Sequence, residues 1–416
     1  MKYRVDNPHD LKTGIVFKGC KMNIKYLLIA VTLGIYSMLE MAAYSQGTTP
    51  FIIGVKHKIQ SSVLNEERTF IVELPESYNS GSKKYPLAVI LDGEVSYHSH
   101  SGILKHMVQG GQIPEMLIVA ITNVDRVRDF TPTNYLKNLN GSSAVENHKT
   151  SGGSAKFLEF IEKELLPEVE QNYRTNSFKM LIGISHGGLL VGSSYLSTNS
   201  SFSGYISMDP SFWWDDQFII KQAQKTPLDQ IRDKRLYVST ADKFENFDRI
   251  PHVFIANINS HEMFNSTLKN RGVSPSNIEL EYFKEENHWT VALMSLYHGM
   301  KFIYNDLKMK NIRNSSIEEI TEYYNENYNG AFLPPENEIN SLGYRYLSEN
   351  KKEDALRFFQ LNTNNYPTSS NAFDSLGEIY MLMGDSKNAI KNYKRSLELD
   401  DRNDNARKML LKLENQ

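Results

Sequence analysis

A serine lies in the stretch 183–188, Gly-Ile-Ser-His-Gly-Gly, where the apolar run 180–184 ends and a Gly-rich segment begins. A sharp strand-to-helix turn of this kind exposes a serine hydroxyl. It needs flanking glycines, because a Cβ there would collide with the neighbouring strand and helix. The pattern predicts that Ser185 is a nucleophile.

A serine nucleophile needs a base that takes its proton and a carboxylate that orients the base, in the chain order serine, acid, histidine. His288 follows the strand-like run 278–283 and precedes an apolar helix pattern, so it fits the base. Two carboxylates, Asp242 and Glu245, follow the preceding predicted strand, 235–240. The pattern leaves open which of the two is the acid.

Acyl transfer also needs backbone amides that bind the oxyanion, and one of them comes from the residue after the nucleophile. Here that residue is His186. The second amide is expected from a loop after an earlier strand, and Glu94 follows the unbroken apolar run 86–91. We therefore expect the oxyanion donors to be the amides of His186 and Glu94.

These residues resemble the esterase family of the α/β-hydrolase superfamily that includes enterochelin (siderophore) esterases and S-formylglutathione hydrolases. The resemblance runs from about Gly54 to Lys308 and is carried by the stretches 62–75, 91–93, 126–133, 183–188, 209–214 and 287–289. It implies a serine ester hydrolase with Ser185 as nucleophile and His288 as general base, and it favours Glu245 over Asp242. Relatives often carry a histidine just before the serine, whereas here Ile184 precedes it and His186 follows it.

Aromatic and basic residues follow two further predicted strands. Trp213 and Trp214, in the stretch 210–216, are expected to line a pocket for an aromatic or acyl group. Arg126 and Arg128 follow the run 116–122, and an arginine there suits an anionic or catecholate substrate. The predicted substrate-binding residues are Trp213, Trp214 and Arg128.

Three histidines, His98, His100 and His106, raise the question of a metal site. No cysteine or carboxylate cluster completes a ligand set, and open metal sites usually have three protein ligands. We expect these histidines to line the loop beyond Glu94. The serine mechanism needs neither a metal nor a cofactor.

The 416 residues carry a formal charge of only -3, with 40% hydrophobic residues. The chain is therefore globular, and scattered Lys and Arg give no reason to expect a nucleic-acid partner. From Met22 the sequence has the order of a secretory signal: a short basic region, an apolar run over 26–39 and small residues around Ser45. We expect export to the periplasm or medium, cleavage near Ser45, and a start at Met1 or Met22.

That apolar run is shorter than the roughly twenty residues of a membrane span, so no stable span is expected after cleavage. The single cysteine, Cys20, precedes the run, so a lipid anchor and disulfides are not expected in the mature chain.

Predicted strands and helices alternate through the middle of the chain, which indicates an α/β-hydrolase fold with a doubly wound sheet. The predicted divisions are an extension with signal peptide (1–45), the hydrolase domain (46–310), an Asn- and Glu-rich linker (311–337) and a small all-α module (338–416).

The module repeats at an offset of 34 residues, as in tetratricopeptide repeats, with Leu342, Gly343, Tyr346, Ala355 and Phe359 matching Leu376, Gly377, Tyr380, Ala389 and Tyr393. A last helix over 404–414 would cap the second repeat. Such repeats suit protein or peptide docking. The alternative is therefore that the protein is a binding protein. Its hydrolase fold would be catalytically inactive, and its repeats would bind a protein partner.

Overall fold

The structure, a computed structural model, describes residues 51–80, 82–241 and 251–415. The predicted extension and signal peptide of residues 1–45 lie outside these ranges, and so do Asp242 and Glu245. From Gly54 onward the chain forms one compact unit.

An eight-stranded sheet forms the centre of this unit, in the order β1-β2-β4-β3-β5-β6-β7-β8. Pairs β1/β2 and β2/β4 are antiparallel and the other neighbours are parallel. The strands are β1 (Val55–Ser61), β2 (Glu66–Glu73), β3 (Tyr85–Ile90), β4 (Leu117–Ile121), β5 (Thr175–Ile184), β6 (Gly204–Met208), β7 (Arg235–Ala241) and β8 (Ile278–Phe283).

Helices cover both faces of the sheet. The hydrolase helices are α1 (Gly93–Gln109), α2 (Arg126–Phe130), α3 (Val145–His148), α4 (Ser154–Phe160), α5 (Leu166–Asn172), α6 (His186–Tyr195), α7 (Trp214–Ala223), α8 (Pro251–Asn270) and α9 (Val291–Ile303). A π-helical segment, Ile161–Leu165, joins α4 to α5.

Strand β3 shows why the sheet is buried on both faces. Leu87 and Val89 belong to the core under α4 to α8, whereas Ala88 and Ile90 pack with α1 and α9. Side chains alternate between faces along a strand, so an unbroken apolar run fills two cores. This confirms the predicted α/β-hydrolase fold, and it brings the carboxyl ends of the parallel strands to one edge.

The C-terminal part is all-α, as predicted, with α11 (Glu336–Ser348), α12 (Lys352–Asn365), α13 (Ser370–Leu382), α14 (Ser386–Leu399) and α15 (Asp404–Glu414). The aromatic rings of Phe359 and Tyr393 lie against Gly343 and Gly377, where an added Cβ would be 2.5 and 3.0 Å from ring atoms. Residues at the 34-residue offset therefore occupy equivalent places in the two hairpins.

The segment 311–337, which its Asn- and Glu-rich composition predicts to be a linker, is folded. It contains α10 (Ile317–Glu326), which Ser316 and Glu319 close at its N-terminus with a reciprocal capping box. Ile320 and Tyr324 of α10 are buried against the first hairpin of the module. Ile320 and Tyr324 are four residues apart, so they lie on one face of the helix. This spacing predicts a helix, whereas the Asn- and Glu-rich composition alone does not.

The end of the same segment packs on the hydrolase part. The ring of Phe332 lies 5.5 Å from that of Phe178 and 5.8 Å from that of Tyr304, centroid to centroid. Asn176 Nδ2 donates to Ala331 O at 3.0 Å. The segment is thus a packed junction between the sheet and the helical module.

His98, His100 and His106 lie on α1, not in a loop beyond Glu94 as predicted. His100 is buried, and burial lowers its pKa to about 4. The helix continues to Gln109 because its buried positions, such as Leu104 and Met107, recur at helical spacing. Among the described residues, no helix combines the length and apolar character needed to cross a membrane.

Candidate active site

Ser185 occupies the turn between β5 and α6, with φ 61° and ψ −120°. This left-handed backbone is strained for a residue with a side chain. Two glycines permit the turn: a Cβ on Gly183 would lie 2.6 Å from the Gly187 carbonyl carbon, and one on Gly188 would lie 2.9 Å from Pro210. The geometry is that of a nucleophile elbow at the carboxyl edge of the sheet.

His288 lies between β8 and α9, and its Nδ1 is 2.5 Å from Asp209 Oδ2. The Asp209 carboxylate is almost fully buried, whereas the His288 side chain is 34% exposed. A carboxylate on Nδ1 orients the ring and places the proton on that nitrogen, which leaves Nε2 free to act as a base.

The loop that carries Asp209 is tied to the elbow. Ser185 N donates to Met208 O at 3.0 Å, and Ser211 N donates to Ser185 O at 3.1 Å. Asp209 lies between Met208 and Ser211 in the chain. These two bonds therefore hold the serine turn and the Asp209 carboxylate at the same edge of the sheet.

Further contacts fix the Asp209 carboxylate and its loop. Its Oδ1 accepts from Ala241 N at 3.3 Å and from Asn257 Nδ2 at 3.4 Å. Buried His261 donates from Nε2 to Pro210 O at 2.5 Å and accepts at Nδ1 from Thr240 Oγ1 at 2.7 Å. Burial lowers the pKa of His261, so its ring stays neutral and acts as a structural bridge.

Asp209 was not among the candidate acids predicted from the sequence. The predicted acids, Glu245 and Asp242, lie outside the described residues, and the carboxylate that contacts His288 follows β6 rather than β7. A signal was present: Asp209 directly follows the apolar strand next to the nucleophile strand, and carboxyl ends of parallel strands share an edge. It also satisfies the chain order serine, acid, histidine.

The two predicted oxyanion residues both begin helices. His186 is the first residue of α6, and Glu94 is the second residue of α1. Amides in the first turn of a helix have no intrahelical acceptor, and the helix dipole favours negative charge there. The Glu94 side chain turns to Asn123, accepting from its N at 3.1 Å and its Nδ2 at 2.6 Å.

The His186 ring packs among aromatic side chains and beside Arg126. Its centroid is 5.2 Å from that of Trp214 and 6.3 Å from that of His148. Burial, followed by the nearby Arg126 charge, lowers the pKa of His186 to about 3. The ring is therefore neutral at any pH where an esterase works.

The predicted substrate-binding residues have different environments. Trp214 is fully buried, and its Nε1 donates to Thr133 Oγ1 at 3.1 Å, so this ring belongs to the core rather than to an open pocket wall. Trp213 is only partly buried and faces His186. Arg128 binds Glu66 at 2.6 Å and Asp129 at 2.7 Å, and a substrate role for it stays a prediction.

An exposed aromatic ring that was not predicted from the sequence as a pocket residue lies next to His288. Trp289 is 73% exposed, and its ring centroid is 5.9 Å from that of His288. Within the described ranges, no three His, Cys, Asp or Glu side chains are grouped to hold a metal ion. The side chains gathered at this edge are those that acyl transfer through a serine would use.

Comparison with known proteins finds relatives that are named as esterases. The chain is 28% identical over 185 residues to the ferri-bacillibactin esterase BesA of Bacillus subtilis, covering 41% of this chain and 63% of that protein. It is 26% identical over 186 residues to a siderophore enterobactin esterase of Emericella nidulans, covering 40% and 60%. The chain thus spans about three fifths of the length of these curated relatives.

A crystal structure of an IroE-like serine hydrolase from Shewanella oneidensis superimposes with a TM-score of 0.63 at 26% identity, covering 75% of this chain and 99% of that one. The model of the family described as "Putative esterase" matches residues 61–294. Because this match covers more than half of the chain and includes Ser185, Asp209 and His288, the chain belongs to that esterase family.

Proposed function

We propose that the protein is a serine carboxylic ester hydrolase in which Ser185, His288 and Asp209 form the catalytic triad. The observation that carries the proposal is the 2.5 Å contact between His288 Nδ1 and Asp209 Oδ2 beside a serine in elbow geometry. Family membership supports the reaction class.

The mechanism follows from these positions. Ser185 Oγ attacks the ester carbonyl carbon while its proton moves to His288 Nε2, and the carbonyl oxygen becomes an oxyanion facing the amides of His186 and Glu94. The C–O bond then breaks, His288 protonates the leaving alkoxide, and an acyl-enzyme remains on Ser185. Water, deprotonated by His288, attacks the acyl carbon, and the acid product leaves with Ser185 restored.

The proposed substrates are siderophore-like or other aromatic acyl esters. Two relatives are named as siderophore esterases, and the Trp213 and Trp289 rings flank the proposed catalytic residues. Rates on acetyl, feruloyl and catecholate esters test this. A clear preference for acetyl esters or for thioesters would contradict it.

We also infer export and a docking role for the helical module, on the signal-like sequence of 22–45 and the paired repeats. Sequencing the N-terminus of the protein recovered from the periplasm or medium tests export. A mature chain that begins near Gln46 supports it, and an intact N-terminus in the cytoplasm contradicts it.

The deciding experiment measures turnover of a nitrophenyl ester and labelling by a fluorophosphonate. Wild-type protein should do both. Ser185→Ala should not be labelled, and Ser185→Ala and His288→Ala should each lose about 10⁴-fold or more in kcat, because nucleophile and base act as a unit. Equal labelling of wild type and Ser185→Ala, or a wild type without turnover that binds a partner through its repeats, would overturn the proposal.

A further inference from the structure

The guanidinium of Arg126, at the start of α2, joins three separate parts of the chain. Its Nε donates to Asp92 Oδ1 at 2.7 Å and its Nη2 to Asp92 Oδ2 at 3.0 Å. Nη2 also donates to Ile184 O at 3.2 Å. Ile184 is the last residue of β5 and precedes Ser185 directly, so one side chain binds both the β3–α1 turn and the elbow.

The same guanidinium contacts the residue after the nucleophile. Arg126 Nη1 lies 3.2 Å from His186 Nδ1. A guanidinium has donors only, so this His186 nitrogen accepts and the ring proton lies on Nε2. The contact fixes both the orientation and the tautomer of His186.

The two turns that Arg126 joins are those that carry the proposed oxyanion amides. Asp92, with φ 55°, occupies the N-cap position of α1, two residues before Glu94. The N-terminus of α6 lies beside it, since a Cβ on Gly187 would be 3.3 Å from Asp92 Oδ2. The Asp92–Arg126 pair therefore connects the two turns that carry the amides of Glu94 and His186.

The charge of Asp92 and the geometry of its contacts both explain why residue 126 is an arginine. The Asp92 carboxylate is nearly buried and accepts a further bond from Asn123 Nδ2 at 2.7 Å. A buried carboxylate needs a paired charge. The planar guanidinium has five donors and contacts four acceptors here, whereas an ammonium group has only three donors. These contacts tie Arg126 to the protein itself.

We propose that Arg126 is the positioning residue of the oxyanion hole, holding the β3–α1 turn and the nucleophile elbow at the separation that the tetrahedral intermediate requires. This rests on the proposed esterase function. Arg126 does not touch the reacting atoms. Its removal should weaken binding of the transition state and leave binding of the ester in its ground state nearly unchanged.

The test uses Arg126→Ala in the full-length protein, with a nitrophenyl ester as substrate and an arylboronic acid as a tetrahedral adduct of Ser185. We expect kcat to fall by about 10²-fold, the usual effect of an ångström-scale misplacement, with KM within about threefold. The boronate inhibition constant should rise in step with the loss of kcat. Added guanidinium ion should restore part of the lost kcat.

A second variant keeps the test informative if Arg126→Ala folds poorly. Asp92→Asn keeps the backbone conformation, because asparagine tolerates the left-handed region, but it removes the charge. It should give a smaller loss of kcat, and the double variant should lose less than the sum of the two single losses, since both act through one contact.

Arg174 provides the matched control. It lies just before β5, at the opposite end of the strand from Ser185, and its Nε donates to Lys83 O at 3.1 Å. Arg174→Ala should lower the melting temperature with kcat per folded molecule unchanged.

The outcomes separate this proposal from the proposed function. If wild type is inactive on every ester and unlabelled by fluorophosphonate, the esterase function itself fails. If wild type is active, the positioning role is overturned by Arg126→Ala with unchanged kcat, by a raised KM at unchanged kcat, or by an unchanged boronate inhibition constant.

Discussion

At the scale of single residues, the proposed chemistry depends on Asp209, which follows β6, whereas the predicted acids follow β7. Asp209 Oδ2 accepts a hydrogen bond from His288 Nδ1. Its Oδ1 accepts from Ala241 N on β7 and from Asn257 Nδ2 on α8. In the proposed mechanism, a buried carboxylate in this position stabilises the imidazolium that forms when His288 takes the serine proton.

The first prediction compares three carboxylates by isosteric substitution. Asp209→Asn should lower kcat by about 10³ to 10⁴-fold, since an amide does not stabilise the imidazolium or hold its tautomer. Glu245→Gln and Asp242→Asn, measured on the same nitrophenyl ester, should stay near wild type. A large loss in Glu245→Gln with an active Asp209→Asn would return the acid role to Glu245.

At the scale of elements, α1 carries a proposed oxyanion donor, the Glu94 amide, in its first turn and a buried histidine, His100, further along. It begins at the turn that carries Glu94, and it buries His100, whose Nδ1 lies 3.2 Å from Ser99 Oγ. Folding thus keeps one histidine neutral on a helix that positions the proposed oxyanion hole.

The second prediction concerns acid stability. Burial lowers the pKa of His100 from 6.5 to about 4. The unfolded chain binds more protons than the folded one between these values, so stability is fully present above 6.5 and is lost as the pH falls toward 4. The loss should amount to about 3 kcal/mol near pH 4.

Chemical denaturation at a series of pH values measures it. His100→Gln should show a shallower decline of unfolding free energy across this window, whereas His106→Gln, on the exposed side of α1, should keep the wild-type slope. Identical slopes for wild type and His100→Gln would contradict the prediction.

The third prediction tests the close approach of the first helical hairpin. Gly343→Ala would place a Cβ 2.5 Å from the Phe359 ring, so the ring or the helices must shift at a cost of about 1–3 kcal/mol. Gly102→Ala, in a helix with open space around the added Cβ, is the matched control and should be neutral or stabilising. Thermal unfolding of both variants measures the change in melting temperature. An unchanged melting temperature in Gly343→Ala would contradict tight packing of Gly343 against the Phe359 ring.

At the scale of the whole molecule, the helical module is joined to the hydrolase by a packed segment. Tyr323 OH donates to Asp306 O at 2.7 Å, and Tyr324 OH donates to Leu307 O at 3.2 Å. With Phe332 against Phe178 and Tyr304, the junction buries apolar surface on both sides. The proposed triad and the proposed oxyanion amides all precede this junction.

The fourth prediction follows from that arrangement. A chain ending at Met309 should keep ester turnover, because it retains every proposed catalytic residue. It should melt at a lower temperature or aggregate, since Phe178 and Tyr304 lose the Phe332 ring and become exposed. A stable but inactive truncated protein would show that the module forms part of the active site.

The sequence alone determined what local patterns encode. Apolar runs set the strands, the Gly-rich stretch around Ser185 set the elbow, and the 34-residue repeat predicted the helical hairpins, because each depends on neighbouring residues. Only the tertiary structure decided which carboxylate meets His288, that Trp214 is buried, and that Arg126 binds Asp92 beside the elbow. These pairings join residues far apart in the chain, and they depend on strand order and on the convergence of two helix N-termini, which no local pattern records.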